Sequence, residues 1–92
     1  MISKKYTLMA QQLVKKIFPQ NESFIFGGAA RNTNYGDVDI AIKGISDYKK
    51  ILELYDVFEY SNFPKTVDLI DFDNADDSFK EYVLLYEKKI WI

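Results

Sequence analysis

The sequence predicts an α/β (α+β) fold in which a small mixed sheet is flanked by helices. Three observations predict it. Apolar residues recur at helical spacing in three stretches. Short runs rich in Val, Ile and Phe, bounded by turn residues, lie between and after them. The chain has 92 residues, 48% of them hydrophobic, which suits one small packed domain and leaves no room for two.

The elements follow in order. Ser3 can cap a helix over residues 4–18, with Tyr6, Met9, Leu13, Val14 and Ile17 as its apolar stripe. Pro19, Asn21 and Ser23 end it. Phe24-Ile25-Phe26 reads as a buried strand entering a tight turn at Gly27-Gly28, and residues 29–36 read as a polar, flexible loop. Residues 37–42 (Asp-Val-Asp-Ile-Ala-Ile) read as a second strand. Ser46 or Asp47 caps a helix over 47–56, and residues 57–65 hold a short edge strand and a loop. Residues 66–72 give a third strand, and Asp73 or Asn74 caps a last helix over 76–87. Ile90-Trp91-Ile92 adds a terminal strand. The aromatics Phe24, Phe26, Tyr55, Phe58, Phe72, Phe79, Tyr82 and Tyr86 are expected in the core.

Composition removes several chemistries. With no cysteine there is no disulfide framework, thiol chemistry or cysteine-ligated zinc. With no histidine there is no Ser-His-Asp machinery and no His-ligated transition metal. A bound metal must then have oxygen ligands, which points to Mg²⁺, Mn²⁺ or Ca²⁺. The net charge of −2 and the scattered lysines argue against long nucleic acid as the main ligand. No apolar run approaches a membrane span, and the N-terminus lacks a signal-peptide core, so a cytoplasmic protein is expected. So small a domain gains from self-association or a partner.

The chemical signal is a glycine turn followed by acidic strands. Asp37 and Asp39 stand at i and i+2, so one strand would present both to the same face, with Cα atoms about 7 Å apart. Asp68 lies between Val67 and Leu69; parity puts it with Ile70 on one face and sets Val67, Leu69 and Asp71 on the other. If the two strands are neighbours, three carboxylates meet, and divalent cations relieve their repulsion. Asp68 can also accept a proton from an attacking hydroxyl. Gly27 and Gly28 let backbone N–H groups approach a phosphate, and Arg31, the sole arginine, reaches the same turn with a fork suited to phosphate oxygens. Taken singly, each feature has a plainer reading: a turn, a solvated strand edge, a surface arginine. Asp71, Asp73, Asp76 and Asp77 read as turn and cap residues, and Lys88 and Lys89 as partners of the last helix's dipole.

In this order the segments Phe26-Gly27-Gly28-Ala29-Ala30-Arg31, Asp37-Val38-Asp39-Ile40-Ala41-Ile42 and Val67-Asp68-Leu69-Ile70-Asp71 resemble the minimal nucleotidyltransferase family of the DNA polymerase β superfamily. The likeness spans nearly the whole chain. It implies a polymerase β-like nucleotidyltransferase fold and a Mg²⁺-dependent transfer of a nucleoside monophosphate, AMP from ATP, to a hydroxyl acceptor. By that likeness Asp37 and Asp39 hold two metal ions (Mg²⁺, with Mn²⁺ as a substitute), Asp68 holds one and activates the acceptor, and the Gly27-Gly28 turn holds the triphosphate. It also implies an antitoxin whose partner is a helical HEPN ribonuclease toxin, modified on a tyrosine. Two positions depart from the family: Gly28 stands where a serine hydroxyl usually touches phosphate, and Gly36 precedes Asp37 where serine is usual. These departures motivate the alternative of a degenerate domain that neutralises its partner by contact alone. A third reading is a structural subunit whose acidic strands keep sheet edges soluble.

Overall fold

A computed structural model describes residues 1–32 and 34–92. The elements are α1 (Lys4–Ile17), β1 (Ser23–Phe26), α2 (Gly28–Arg31), β2 (Val38–Ile42), α3 (Lys49–Glu59), β3 (Val67–Asp71), a 3-10 turn (Phe72–Asn74), α4 (Asp77–Tyr86) and β4 (Ile90–Trp91). The four strands form one mixed sheet in the order β3-β2-β1-β4. β1 is antiparallel to both β2 and β4, and β2 runs parallel to β3.

Local chemistry explains most boundaries. The Ser3 side chain accepts the Tyr6 N–H at 3.1 Å and so caps α1. The predicted stripe turns α1 onto the sheet through Leu13 and Val14, with Ala10 buried beside them. α3 starts later than expected. Asp47 accepts the Lys49 N–H at 3.0 Å, but the cap position is Tyr48, and the helix runs on to Glu59. That extension buries Phe58 and uses up the residues expected to form an edge strand; residues 60–66 hold none. At the start of α4 the cap position is Asp76, not Asp73 or Asn74, because a 3-10 turn takes up Phe72–Asn74 and buries Phe72.

The supposed loop over 29–36 begins with a helix. α2 is four residues long, with Ala29 and Ala30 fully buried. Alanine is the best helix former, and these two small side chains are wholly enclosed. The Ile2 N–H donates to Ala29 O at 2.6 Å, tying the buried Ile2 to this turn. Thr33, assigned to the same loop from sequence, lies outside the described residues.

Strand alternation divides the core. On one face Ile25, Val38, Ile40, Ile42 and Leu69 pack against α1 and α3. On the other face Phe24, Phe26 and Ala41 pack with Phe72 and Val83, and Ile70 lies against them. Phe72 of the 3-10 turn and α4 cover this second face, and α4 seals little of it. Val83 is buried, but Phe79, Tyr82 and Tyr86, expected in the core, are exposed, Tyr86 to 74%. One short helix over so small a patch carries more apolar side chains than the sheet can cover.

Candidate active site at the open end of the sheet

β2 and β3 lie side by side in a register that pairs Asp39 with Asp68. Neighbouring strands are about 4.8 Å apart, and both residues share the face of Ala41 and Ile70, as parity requires. On the other side of β2, Asp39 is paired with Phe26, the last residue of β1 before the glycine turn. The carboxylates therefore sit where the second face runs out of covering side chains.

Asp37 departs from expectation. β2 begins at Val38, so Asp37 precedes the ladder in a bend and is exposed. Its carboxylate accepts a hydrogen bond from the Thr66 hydroxyl. The Val38 N–H donates to Thr66 O at 3.0 Å, so the chain entering β2 is pinned to the chain entering β3. Lys65 adds a second tie, donating to Tyr35 O at 3.2 Å with its ammonium 5.1 Å from the Tyr35 ring centre. Thr66, Lys65 and Tyr35 were not picked out in the sequence. Tyr35 and Lys65 lie in loops, where no period marks them, and Thr66, read as the first residue of the third strand, falls just before β3.

The turn residues differ from each other. Gly27 has φ 73° and ψ −151°, a backbone region that side chains rarely adopt. A Cβ built there would lie 2.5 Å from Asp39 Oδ2. Glycine at 27 thus lets the turn close directly onto the Asp39 carboxylate. At Gly28 φ is ordinary for an L-residue, and a Cβ would meet only Tyr35 Cβ at 3.6 Å, normal van der Waals contact. The fold therefore demands glycine at 27 and accepts a side chain at 28.

The electrostatics converge on Asp39. Burial pushes its carboxyl above the ordinary carboxylate value, and the charges of Asp68 and then Asp37 push it further. Glu87 acts in the same direction and Arg31 opposes it. Arg31 Nη1 donates to Glu87 Oε2 at 2.5 Å. Glu87 was overlooked in the sequence, since its partner is 56 residues away and a lone Glu after a helix carries no local signal. Lys89 meets expectation, with its ammonium donating to Val83 O, Leu84 O and Glu87 O at the C-terminus of α4.

Among the described residues no three acidic side chains already form a closed ligand set for an ion. The donor chemistry still suits a hard divalent cation. It is all oxygen, and the carboxylates of Asp39 and Asp68 lie together with Asp37 close enough to be felt. Pairing such charges with a cation is the ordinary way their repulsion is relieved.

No protein-family model and no curated protein sequence matches the chain. Among solved structures it is similar to a chain in the crystal structure of the toxin–antitoxin MntA–HpeT, in a mutant that replaces two aspartates two positions apart by glutamate. The TM-score is 0.70 at 20% identity, covering 94% of this chain and 71% of that one. No helix here is long and apolar enough to cross a membrane. The four-stranded mixed sheet with flanking helices, the open-ended acidic strands and this likeness together make the chain's fold nucleotidyltransferase-like.

Proposed function

We propose that the chain is a nucleotidyltransferase that moves a nucleoside monophosphate, AMP from ATP, onto a hydroxyl acceptor, and that it acts as an antitoxin on a helical toxin partner of the HEPN type. One observation carries the reading: Asp39 and Asp68 are paired in register on adjacent parallel strands, at the sheet end where Gly27 turns against the Asp39 carboxylate. The spacing of the two aspartates replaced in the MntA–HpeT mutant is also that of Asp37 and Asp39. That protein is a toxin–antitoxin pair, and the same role and kind of partner are inferred for this chain.

In this reading Asp37, Asp39 and Asp68 hold Mg²⁺, or Mn²⁺ in its place, which supplies charge neutralisation for the triphosphate when bound. The Gly27-Gly28 turn brings backbone N–H groups to the phosphates, and the donors of Arg31 not taken by Glu87 bind phosphate oxygen. The acceptor hydroxyl oxygen bonds to the α-phosphorus, the bond from that phosphorus to the bridging oxygen breaks, and pyrophosphate leaves. Asp68, exposed at the strand edge, takes the hydroxyl proton. A tyrosine of the partner is the proposed acceptor.

The test is thermal unfolding with Mg²⁺ and ATP. Ligand bound only by the folded state raises the melting temperature, by about 2.7 kcal/mol of stabilisation at a hundredfold excess over Kd. Asp39→Ala should abolish the rise, and an unchanged rise in that variant sinks the proposal. The second reading, a degenerate domain that binds and neutralises its partner without turnover, rests on Gly28, which leaves the turn without the hydroxyl that the family resemblance implies on phosphate. It predicts that partner inhibition survives Asp37→Ala and Asp39→Ala, and release from inhibition counts against it.

A further inference from the structure

We infer that Glu87 is a positioning residue that holds the guanidinium of Arg31 at the carboxylate end of the sheet, ready for an incoming triphosphate. The inference deepens the nucleotidyltransferase reading and rests on it.

Glu87 makes no sense as a helix residue. It follows α4 as its C-terminal cap, where the carbonyl ends already concentrate negative charge. Lys89 meets the needs of that terminus by binding three carbonyl oxygens, one of them Glu87's own. A carboxylate at the same place is unfavourable for the helix, and its side chain is only 11% exposed. Among the described residues its side chain has one hydrogen-bond partner, Arg31.

The pair is asymmetric. Glu87 is fixed on both sides of its peptide: its N–H donates to Val83 O at 3.2 Å, and its carbonyl accepts from Lys89 at 2.9 Å. Arg31 ends a four-residue helix and is 48% exposed, so left alone its long side chain would sample many rotamers. The contact uses a single nitrogen, Nη1. Guanidinium carries five N–H donors in a rigid fork, so one corner can be tethered while the others remain for an oxyanion. Arg31 ends α2, the helix that begins at Gly28 directly after the Gly27 turn, and that turn closes on the Asp39 carboxylate. The tether therefore parks the protein's only arginine beside the acidic cluster before any ligand arrives.

Because Arg31 is the sole arginine, its side-chain Nε–Hε group gives one unambiguous NMR signal in ¹⁵N-labelled protein. In the wild type this signal should be sharp and should shift as Mg²⁺-ATP is added. In Glu87→Ala it should broaden or vanish into solvent exchange, and the Kd for Mg²⁺-ATP should weaken by roughly two- to fivefold, the range a partly exposed ion pair commands. Glu87→Gln, which keeps an acceptor oxygen at the same reach, should recover most of both. In an Arg31→Gln background the effect of Glu87→Ala on Kd should disappear. An Arg31 signal indifferent to Glu87→Ala overturns the inference. So does tighter nucleotide binding by that variant, or an equal loss with and without Arg31. If the wild type itself binds no Mg²⁺-ATP, the nucleotidyltransferase reading fails and takes this one with it. If it binds and Glu87 proves irrelevant, this inference alone fails.

Discussion

The two faces of the sheet are made from alternate residues of the same strands, and they are finished differently. Along β2, Val38, Ile40 and Ile42 point into the core beneath α1 and α3, while Asp39 and Ala41 point to the side that α4 covers only in part. The first face is closed by two helices that bring Leu13, Val14, Ile51, Leu54 and Phe58 against it. The second has a small aromatic cluster and then, at the β1–β2–β3 end, carboxylates. A small domain can devote only so much surface to stability. Here one side of each strand supplies the packing, and the other tolerates charged groups because the first side is already secure.

The strongest way to break this comparison is to damage the closed face. Ile40 is fully buried there, next in sequence to Asp39. Ile40→Ala should cost about 2–5 kcal/mol in urea denaturation. That is a large part of the roughly 5–14 kcal/mol expected for a chain of this length. A loss under 1 kcal/mol would mean that the first face is not the main source of stability.

Next in size is the turn. Gly27→Ala puts a methyl 2.5 Å from Asp39 Oδ2 in a backbone region where a side chain is already strained, at about 1–3 kcal/mol. Binding of Mg²⁺-ATP should fall with it, since the turn and the carboxylate must move apart. Gly28→Ser supplies the contrast, because its Cβ finds only ordinary contact. It should fold as well as the wild type, within about 0.5 kcal/mol. If the missing hydroxyl matters to phosphate, it should also tighten nucleotide binding. Equal damage from both changes would refute the distinction drawn between the two glycines.

Smaller, and opposite in sign, is the effect of charge on the open face. The Asp39 carboxyl titrates above its unfolded value because it is partly buried and faces Asp68 and Asp37. The folded state therefore favours the protonated form. The stability this gives is fully present below the unfolded carboxylate range and is lost as pH rises through the folded value. At neutral pH without metal, Asp39→Asn should thus melt at a higher temperature than the wild type. The gap should close as pH falls below the ordinary carboxylate range. Added Mg²⁺ should stabilise the wild type and not the variant. A variant less stable than the wild type at neutral pH would mean that Asp39 is held by bonds and not strained by its neighbours.

The sequence made some of this legible and hid the rest for identifiable reasons. Asp39 and Asp68 could be assigned to one face because a strand alternates strictly, and the strands flanking them are apolar enough to locate. The pairing of the two strands was an expectation that the register now meets. Asp37 could not be placed as well, because strand parity fails one residue before the ladder begins. α2 was invisible for another reason: two alanines followed by polar residues look like a loop until the sheet end that buries them is known. Thr66 and Glu87 act across the fold through single hydrogen bonds, and no local pattern records such contacts. The exposed aromatics of α4 show the opposite error. Size and apolarity suggested burial, but only position relative to the sheet decides it.

The outer side of α4, at Leu85, gives the smallest expected effect, and its contrast with Val83 is the sharpest test of how open the second face is. Val83 and Leu85 are two residues apart on one short helix, 1% and 65% exposed. Residues two apart on a helix point in different directions, so only Val83 meets the Phe24–Phe26 patch. Val83→Ala removes two buried methyl groups and should cost about 1–2 kcal/mol, near 0.8 kcal/mol for each buried carbon. Leu85→Ser should change stability by less than about 0.5 kcal/mol, because the leucine has little burial to give up. Comparing the two by chemical denaturation separates a helix that truncates the core from one that completes it. If Leu85→Ser destabilises as much as Val83→Ala, the outer side of α4 is covered in solution, and the second face is closed after all.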